Sequence, residues 1–194
     1  MQHSEIELKQ IELFTEYVDS QFRRKGICRK YTGDPYINHC IEVVDILAEF
    51  GLDDFISTMI ALGHDLLEDI DDLLPSHLMA YFQEIGLDSN VALEILQGIA
   101  DLTERFTSEK FPELNREIRK DLEAKRLGKV PGKIQTIKYS DLISNTKSIV
   151  EHDPKFAKTY LAEKQNLLNH MLDGNSFVYN QAKNTLYESL FKIS

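Results

Sequence analysis

The sequence predicts an all-α protein. Apolar residues recur at intervals of three and four along most of the chain, which is the spacing of amphipathic helices. Helix start and stop signals separate these stretches, and no segment shows the strict alternation that is typical of a half-buried β-strand. The length of 194 residues is that of one domain, so we expect a single domain over residues 1–194.

Three helices are predicted at the start of the chain. The first covers about 4–24, where apolar residues follow the helical period. Asp34 as N-cap and Pro35 at the first helical position predict the start of the second. Asp53 or Asp54 is expected to cap a third helix, which has a long apolar run.

The rest of the chain is predicted to continue helix after helix. The expected segments are a short helix from Pro75 to near Gly86, one capped by Asp88, a charged solvated helix within 115–126, a helix from Pro131-Gly132 to His152, and helices over about 155–172 and 176–192. Connections of ordinary length between helices of this kind indicate a multi-helix bundle.

Four polar residues interrupt the apolar run of the third helix. His64 and Asp65 are adjacent, and Glu68 and Asp69 follow one turn later. On a continuous helix, each member of the second pair would lie beneath a member of the first. Three carboxylates and an imidazole on one strip repel one another and lose hydration, a cost that a bound cation offsets. The segment therefore indicates half of a metal site.

Two further side chains could complete that site. His39 lies on the second predicted helix, and Asp141 lies on the helix that Pro131 opens. Asp141, Asn145 and Ser148 are spaced i, i+4 and i+7, so they form a polar line on that helix. A divalent ion binds imidazole and carboxylate ligands and leaves positions for water and substrate. We expect polar strips on three helices to meet at one point.

These patterns also have structural explanations. His39 could be a hydrogen-bonded core residue, and the pair His64-Asp65 could cap a helix. The acidic run 68–72 could be a solvated helix end, although the helix dipole disfavours acids at a C-terminus. Asn145 could be an amide on a helix surface. The residue patterns by themselves leave these alternatives open.

The composition excludes some function classes. A net charge of −10 argues against general binding of nucleic acids or membranes, since both require a basic surface. No apolar run approaches the roughly 20 residues that span a bilayer, and Cys28 and Cys40 lack metal or redox spacing. The basic loop 23–30 is typical of solvated charge. We expect a cytoplasmic protein in which an anionic ligand would need a local basic patch.

Several motifs together resemble a known family. The order His39, His64-Asp65 and Asp141 resembles the HD-domain metal-dependent phosphohydrolases. Longer motifs resemble the hydrolase domain of the RelA/SpoT enzymes and the small alarmone hydrolases: Arg29-Lys30, Gly33-Asp34-Pro35-Tyr36-Ile37-Asn38-His39, His64-Asp65-Leu66-Leu67-Glu68-Asp69, and Ile137-Lys138-Tyr139-Ser140-Asp141 to Asn145. The resemblance covers about residues 15–170. It implies a single-domain HD-domain bundle, with the helix over 176–192 packed on it.

The resemblance also implies the roles of individual residues. It implies one divalent ion, usually Mn²⁺ although another divalent metal is possible, with the ligands His39, His64, Asp65 and Asp141. Two acids would position and activate the attacking water: Glu68 and Asp69. It also implies contacts to the nucleotide from Arg29, Lys30, Asn145 and Ser148. Because the chain is acidic, we expect Lys138 to help offset the charge of the substrate.

The function that the resemblance implies is hydrolysis of a small-molecule nucleotide. The expected reaction releases the 3′-pyrophosphate of guanosine tetra- or pentaphosphate (ppGpp or pppGpp) and leaves GDP or GTP. One alternative is an HD phosphatase of another nucleotide, such as the 2′-phosphate of NADPH or a nucleoside monophosphate. Another is a non-catalytic nucleotide-binding module. The first hypothesis predicts pyrophosphate as a product and the second predicts orthophosphate. The third predicts binding of a nucleotide without turnover.

Overall fold

The computed structural model describes residues 3–193, and these residues form ten helices. In chain order they are α1 (Glu5–Lys25), α2 (Ile37–Glu49), α3 (Phe55–Gly63), α4 (Leu66–Asp69), α5 (Pro75–Glu84), α6 (Ser89–Leu102), α7 (Arg116–Leu127), α8 (Gly132–His152), α9 (Pro154–His170) and α10 (Ser176–Ile193). Extended pairing within the described residues is limited to a bridge between Cys28 and Pro35. The prediction of an all-α protein is therefore confirmed.

The helices fall into two compact units. The first unit ends at Thr103 and contains α1 to α6, and the second begins at Glu104 and contains α7 to α10. Each unit has buried apolar residues of its own. The prediction of one domain over residues 1–194 stays a prediction. No helix among residues 3–193 combines the length and the apolar character needed to cross a membrane.

The first unit is built around α3. This helix packs against α1, α2 and α6, and α5 packs against α6. All residues from Ser57 to Gly63 are buried, which is expected for a helix that is apolar on nearly every side. Asp54 begins it as N-cap, because its side chain accepts a hydrogen bond from the amide of Ser57. α3 thereby carries the polar motif to the interior of the unit.

α2 begins later than predicted. Its first residue is Ile37 and its N-cap is Tyr36, so the prediction of Asp34 as N-cap and Pro35 as first helical residue was wrong. Pro35 instead pairs with Cys28 in the antiparallel bridge. The bridge joins the two ends of the loop between α1 and α2. Because it holds Pro35 in extended pairing, the helix begins only after it, despite the local start signal at Asp34 and Pro35.

The third predicted helix is broken within its polar motif. α3 ends at Gly63 and α4 begins at Leu66, so His64 and Asp65 lie at the break. Asp65 has φ −98° and ψ −3°, outside the usual α-helical values. Nδ1 of His64 donates a hydrogen bond to the carbonyl of Ala61 (2.7 Å), which in a continuous helix would accept from the amide of residue 65. The expectation of one continuous helix through the motif was wrong.

Gly63 lies where α3 meets both α1 and α6. A Cβ atom at this position would lie 2.7 Å from Cδ1 of Ile99 and 2.9 Å from Cζ of Phe14. We therefore expect Gly63→Ala to lower the free energy of unfolding by about 1–3 kcal/mol, as other overpacked core sites do. Urea denaturation measures this change. The exposed substitution Glu49→Ala, with an expected effect within about 0.5 kcal/mol, is the control, and equal stability of the two variants would contradict the prediction.

The second unit is built around α8. This helix packs against α9 and α10, while α7 packs against α9. Tyr160, Leu161 and Leu186 form a buried apolar cluster between α9 and α10. The bounds of α9 and α10 lie close to the helices predicted over 155–172 and 176–192. α8 carries Lys138 and the polar line of Asp141, Asn145 and Ser148 on one continuous helix.

Candidate metal centre

Three of the predicted ligands converge in the first unit. Nε2 of His39 lies 3.6 Å from Oδ2 of Asp65, and Nε2 of His64 lies 3.0 Å from the same oxygen. One ligand atom from each residue lies within 4.8 Å of the others. Both histidines are buried, and the side chain of Asp65 is 14% exposed. These three residues, the His-His-Asp cluster, come from α2 and from the break between α3 and α4.

The hydrogen bonding of His64 shows which of its nitrogens can bind a cation. Its Nδ1 lies 2.7 Å from the carbonyl oxygen of Ala61, and since a carbonyl only accepts, Nδ1 carries the proton. In the neutral imidazole, Nε2 then presents its lone pair to the carboxylate of Asp65. A proton or a metal ion removes the resulting repulsion. Two imidazoles and a carboxylate are also a donor set that transition-metal ions favour, so the cluster fits a divalent ion.

The two predicted catalytic acids lie on α4, next to the cluster in the chain. Glu68 and Asp69 are exposed, which gives water and substrate access to them. Partial loss of hydration on its inner side, together with the negative charges of Asp65 and Glu68, raises the pKa of Asp69 to about 7, although Tyr36 and His64 oppose this shift. At neutral pH the carboxyl group of Asp69 is therefore divided between its protonated and ionised forms. It is able to hold or release a proton.

The acidic run 68–72 has two halves with different surroundings. Asp71 lies 2.5 Å from Nζ of Lys25, and Asp72 accepts two hydrogen bonds from Arg24 at 2.7 and 2.8 Å. The hydrogen bond from Arg24 holds the pKa of Asp72 far below its usual value. The second half of the run is therefore paired with the end of α1. From the sequence, the acidic run 68–72 and the basic loop 23–30 were each interpreted as solvated charge. The structure instead pairs the end of the acidic run with basic residues at the start of that loop.

The second unit brings three of the predicted site residues together on α8. Asp141 is buried, with Nζ of Lys138 2.8 Å from its Oδ2 and Nδ2 of Asn145 donating to its Oδ1 at 2.6 Å. Ser148 follows on the same helix and is half-buried. Both oxygens of Asp141 thus have partners within its own unit. Asn145 is not a simple surface amide, because its side chain holds this carboxylate.

Lys164 on α9 is a charged residue of this region that sequence reasoning missed. Its Nζ lies 5.0 Å from the ring centroid of Tyr160. Burial and the charge of Lys138 lower the pKa of Lys164 to about 8, while Asp141 acts in the opposite direction. Lys164 therefore adds positive charge near Asp141. The apolar spacing of α9 gives no signal for the lowered pKa of Lys164, because that pKa depends on charged residues of α8.

The other predicted substrate contacts lie in the loop before α2. Arg29 is half-buried and Lys30 is exposed. Nζ of Lys30 lies 4.9 Å from the ring centroid of Tyr31 and 3.4 Å from its hydroxyl oxygen. This loop therefore presents a cation stacked on an aromatic ring.

Tyr36 is a site residue to which sequence reasoning gave no role. Its hydroxyl donates a hydrogen bond to Oδ2 of Asp65 at 2.7 Å. The signal was present in the motif, because Tyr36 precedes His39 by three residues and therefore lies near it at the start of α2. The orientation of the phenol toward Asp65 depends on the break after α3, which the sequence did not indicate.

Fold and site define this chain as an all-α protein with a buried His-His-Asp cluster that fits a divalent ion and two exposed acids beside it. Among solved structures, the chain is similar to a metazoan ortholog of SpoT that hydrolyzes ppGpp and plays a role in starvation responses, with a TM-score of 0.75 and 19% identity over 97% of this chain and 97% of that chain. The predicted fold resemblance to the RelA/SpoT hydrolase domain is thereby confirmed. No family model and no curated protein matches the sequence.

Proposed function

We propose that this chain is a divalent-metal-dependent phosphohydrolase that removes the 3′-pyrophosphate of ppGpp and pppGpp. The observation that carries the proposal is the His-His-Asp cluster beside the acid pair of α4, in a fold shared with a ppGpp hydrolase. The motif around Asp141 supports this residue as the fourth ligand. The proposal includes manganese as the ion, a small-molecule nucleotide as the partner and the cytoplasm as the compartment.

In the proposed reaction, a water oxygen bonds to the phosphorus that is attached to the ribose 3′ oxygen. The bond between that phosphorus and the 3′ oxygen breaks, pyrophosphate leaves, and a proton ends on the 3′ oxygen of GDP or GTP. The chemistry that a divalent ion supplies is a lowered pKa of the attacking water and neutralisation of phosphate charge. Glu68 accepts the proton of the water, and Asp69, the second acid of α4, returns a proton to the leaving oxygen.

The proposal also assigns the residues that offset the charge of the nucleotide. The chain has a net charge of −10, so a polyphosphate needs cations close to it. Arg29 and Lys30 supply them from the loop before α2, and Lys138 supplies one from α8. The contacts to base and ribose are assigned to Asn145 and Ser148, which follow Lys138 along the polar line of α8.

Product analysis tests this function. The purified chain, stripped with a chelator and reloaded with manganese, is incubated separately with ppGpp, pppGpp, NADPH and nucleoside monophosphates. We expect equal amounts of pyrophosphate and GDP from ppGpp, resolved by ion-exchange chromatography. The metal-free chain is the control, and its activity is expected to return when manganese is added.

Two outcomes would contradict the proposal. Orthophosphate from NADPH or from a nucleoside monophosphate, without pyrophosphate from ppGpp, would identify a phosphatase of another nucleotide. Binding of ppGpp by the manganese-loaded chain without any product would identify a nucleotide-binding module. Calorimetric titration with ppGpp in the same buffer separates the second outcome from simple loss of binding.

A further inference from the structure

The hydroxyl group of Tyr36 contacts the candidate metal centre. It donates a hydrogen bond to Oδ2 of Asp65 at 2.7 Å, and this is the oxygen that the Nε2 atoms of His39 and His64 face at 3.6 and 3.0 Å. Its side chain is also hydrogen-bonded to Asp69. One phenol therefore contacts both a predicted metal ligand and a predicted catalytic acid.

The ring of Tyr36 is itself held in place. Its centroid lies 4.4 Å from that of Phe22 in a tilted arrangement and 5.6 Å from that of His39 in an edge-to-face arrangement. Phe22 is buried in the core of the first unit. Aromatic pairs of this geometry are stabilising and fix ring orientation. The hydroxyl is consequently directed at Asp65 by packing that does not depend on the hydroxyl.

We propose that Tyr36 is a positioning residue that fixes the metal-facing oxygen of Asp65, an inference that rests on the proposed function. The terminal torsion of an aspartate is broad, so its carboxylate needs a partner to hold one oxygen toward an ion. Asp65 also lies at the break between α3 and α4, where its side chain makes no capping hydrogen bond to the backbone of α4. Partners that orient a ligand in this way contribute about 10- to 100-fold to metal affinity.

The test is Tyr36→Phe, which removes the hydroxyl and keeps the ring on Phe22 and His39. Calorimetric titration of the metal-stripped chain with manganese is expected to show a Kd raised by about 10- to 100-fold. The Tm of the metal-free variant is expected to stay within about 4 °C of the wild type. At subsaturating manganese the rate of ppGpp hydrolysis falls, and added manganese restores part of it, which a general folding defect would not do.

Tyr81→Phe is the matched control. Tyr81 is also a half-buried tyrosine of the first unit, and its hydroxyl donates to the backbone carbonyl of Leu13 at 2.7 Å. Its loss is expected to leave manganese affinity unchanged. This comparison separates the loss of any tyrosine hydroxyl from the loss of the one that contacts Asp65.

The outcomes separate this inference from the proposed function. Unchanged manganese affinity in Tyr36→Phe would overturn the positioning role, whatever the wild type hydrolyses. Weakened manganese affinity in the variant, with a wild type that binds manganese and leaves ppGpp intact, would support the positioning role and overturn the proposed substrate. A wild-type chain that binds no manganese would overturn both.

Discussion

Replacing Asp65 with alanine is expected to abolish tight manganese binding and to lower kcat/KM for ppGpp by about 10³-fold or more. Asp65 supplies the negative charge of the His-His-Asp cluster, and its Oδ2 faces the Nε2 atoms of both histidines. Without that charge, the cluster keeps only its two imidazoles, and these attract a divalent ion far less strongly. Calorimetric titration with manganese and product chromatography measure the two effects.

Asp65→Asn and Asp45→Ala complete this experiment. Asparagine keeps the shape of Asp65 without its charge, so it is expected to lose metal as alanine does. Asp45 is an exposed aspartate on α2, and its replacement is expected to change neither property. Normal manganese affinity in Asp65→Ala would contradict the assignment of the cluster as a metal centre.

Replacing Glu68 with glutamine is expected to preserve manganese affinity and to lower kcat by about 10²- to 10⁴-fold, the usual contribution of a general base. Glutamine has nearly the same size as glutamate, but its amide cannot accept the proton of the attacking water. Glu68 lies on α4, which follows the break that contains the predicted ligands His64 and Asp65. Single-turnover hydrolysis at saturating manganese measures the chemical step directly.

The control for this variant is Glu49→Gln, at an exposed glutamate near the end of α2, which is expected to retain the wild-type rate. Turnover by Glu68→Gln at the wild-type rate would rule out Glu68 as the base. Loss of manganese affinity together with activity would instead make Glu68 part of the metal centre. The proposal that Glu68 acts on water and does not bind the metal requires loss of turnover with unchanged manganese affinity.

Helical periodicity and capping residues predicted most of the fold. Asp54 and Asp88 cap their helices through side-chain hydrogen bonds to the backbone, and each cap is a local event that the sequence encodes within a few residues. The break after Gly63 was missed because apolar residues continue with the helical period on both sides of it. The start of α2 was missed because a pairing across the preceding loop determines it.

The candidate site, like the fold, was predicted from the sequence only in part. The chemistry and order of His39, His64 and Asp65 indicated a metal centre, and the structure brings these side chains together. The hydrogen bond of Tyr36 and the environment of Lys164 depend on the approach of separate helices. A pattern along one chain carries no signal for such contacts. The sequence therefore predicted which side chains form the candidate metal centre, but it did not predict the hydrogen bonds and charges around them.

The brevity of α4 affects how the catalytic acids are kept ordered. A helix of four residues has no stability in isolation, because nucleation of a helix is unfavourable. Its order comes from tertiary contacts, because Leu66 and the following Ile70 are fully buried and α4 packs against α6. Asp71 and Asp72, which follow α4, add ion pairs with the end of α1. These pairs are exposed, so dissolved salt weakens them more than it weakens the core. Ionic strength therefore acts on the exposed attachment that follows the two acids, while the buried Leu66 and Ile70 on either side of them keep α4 on the core.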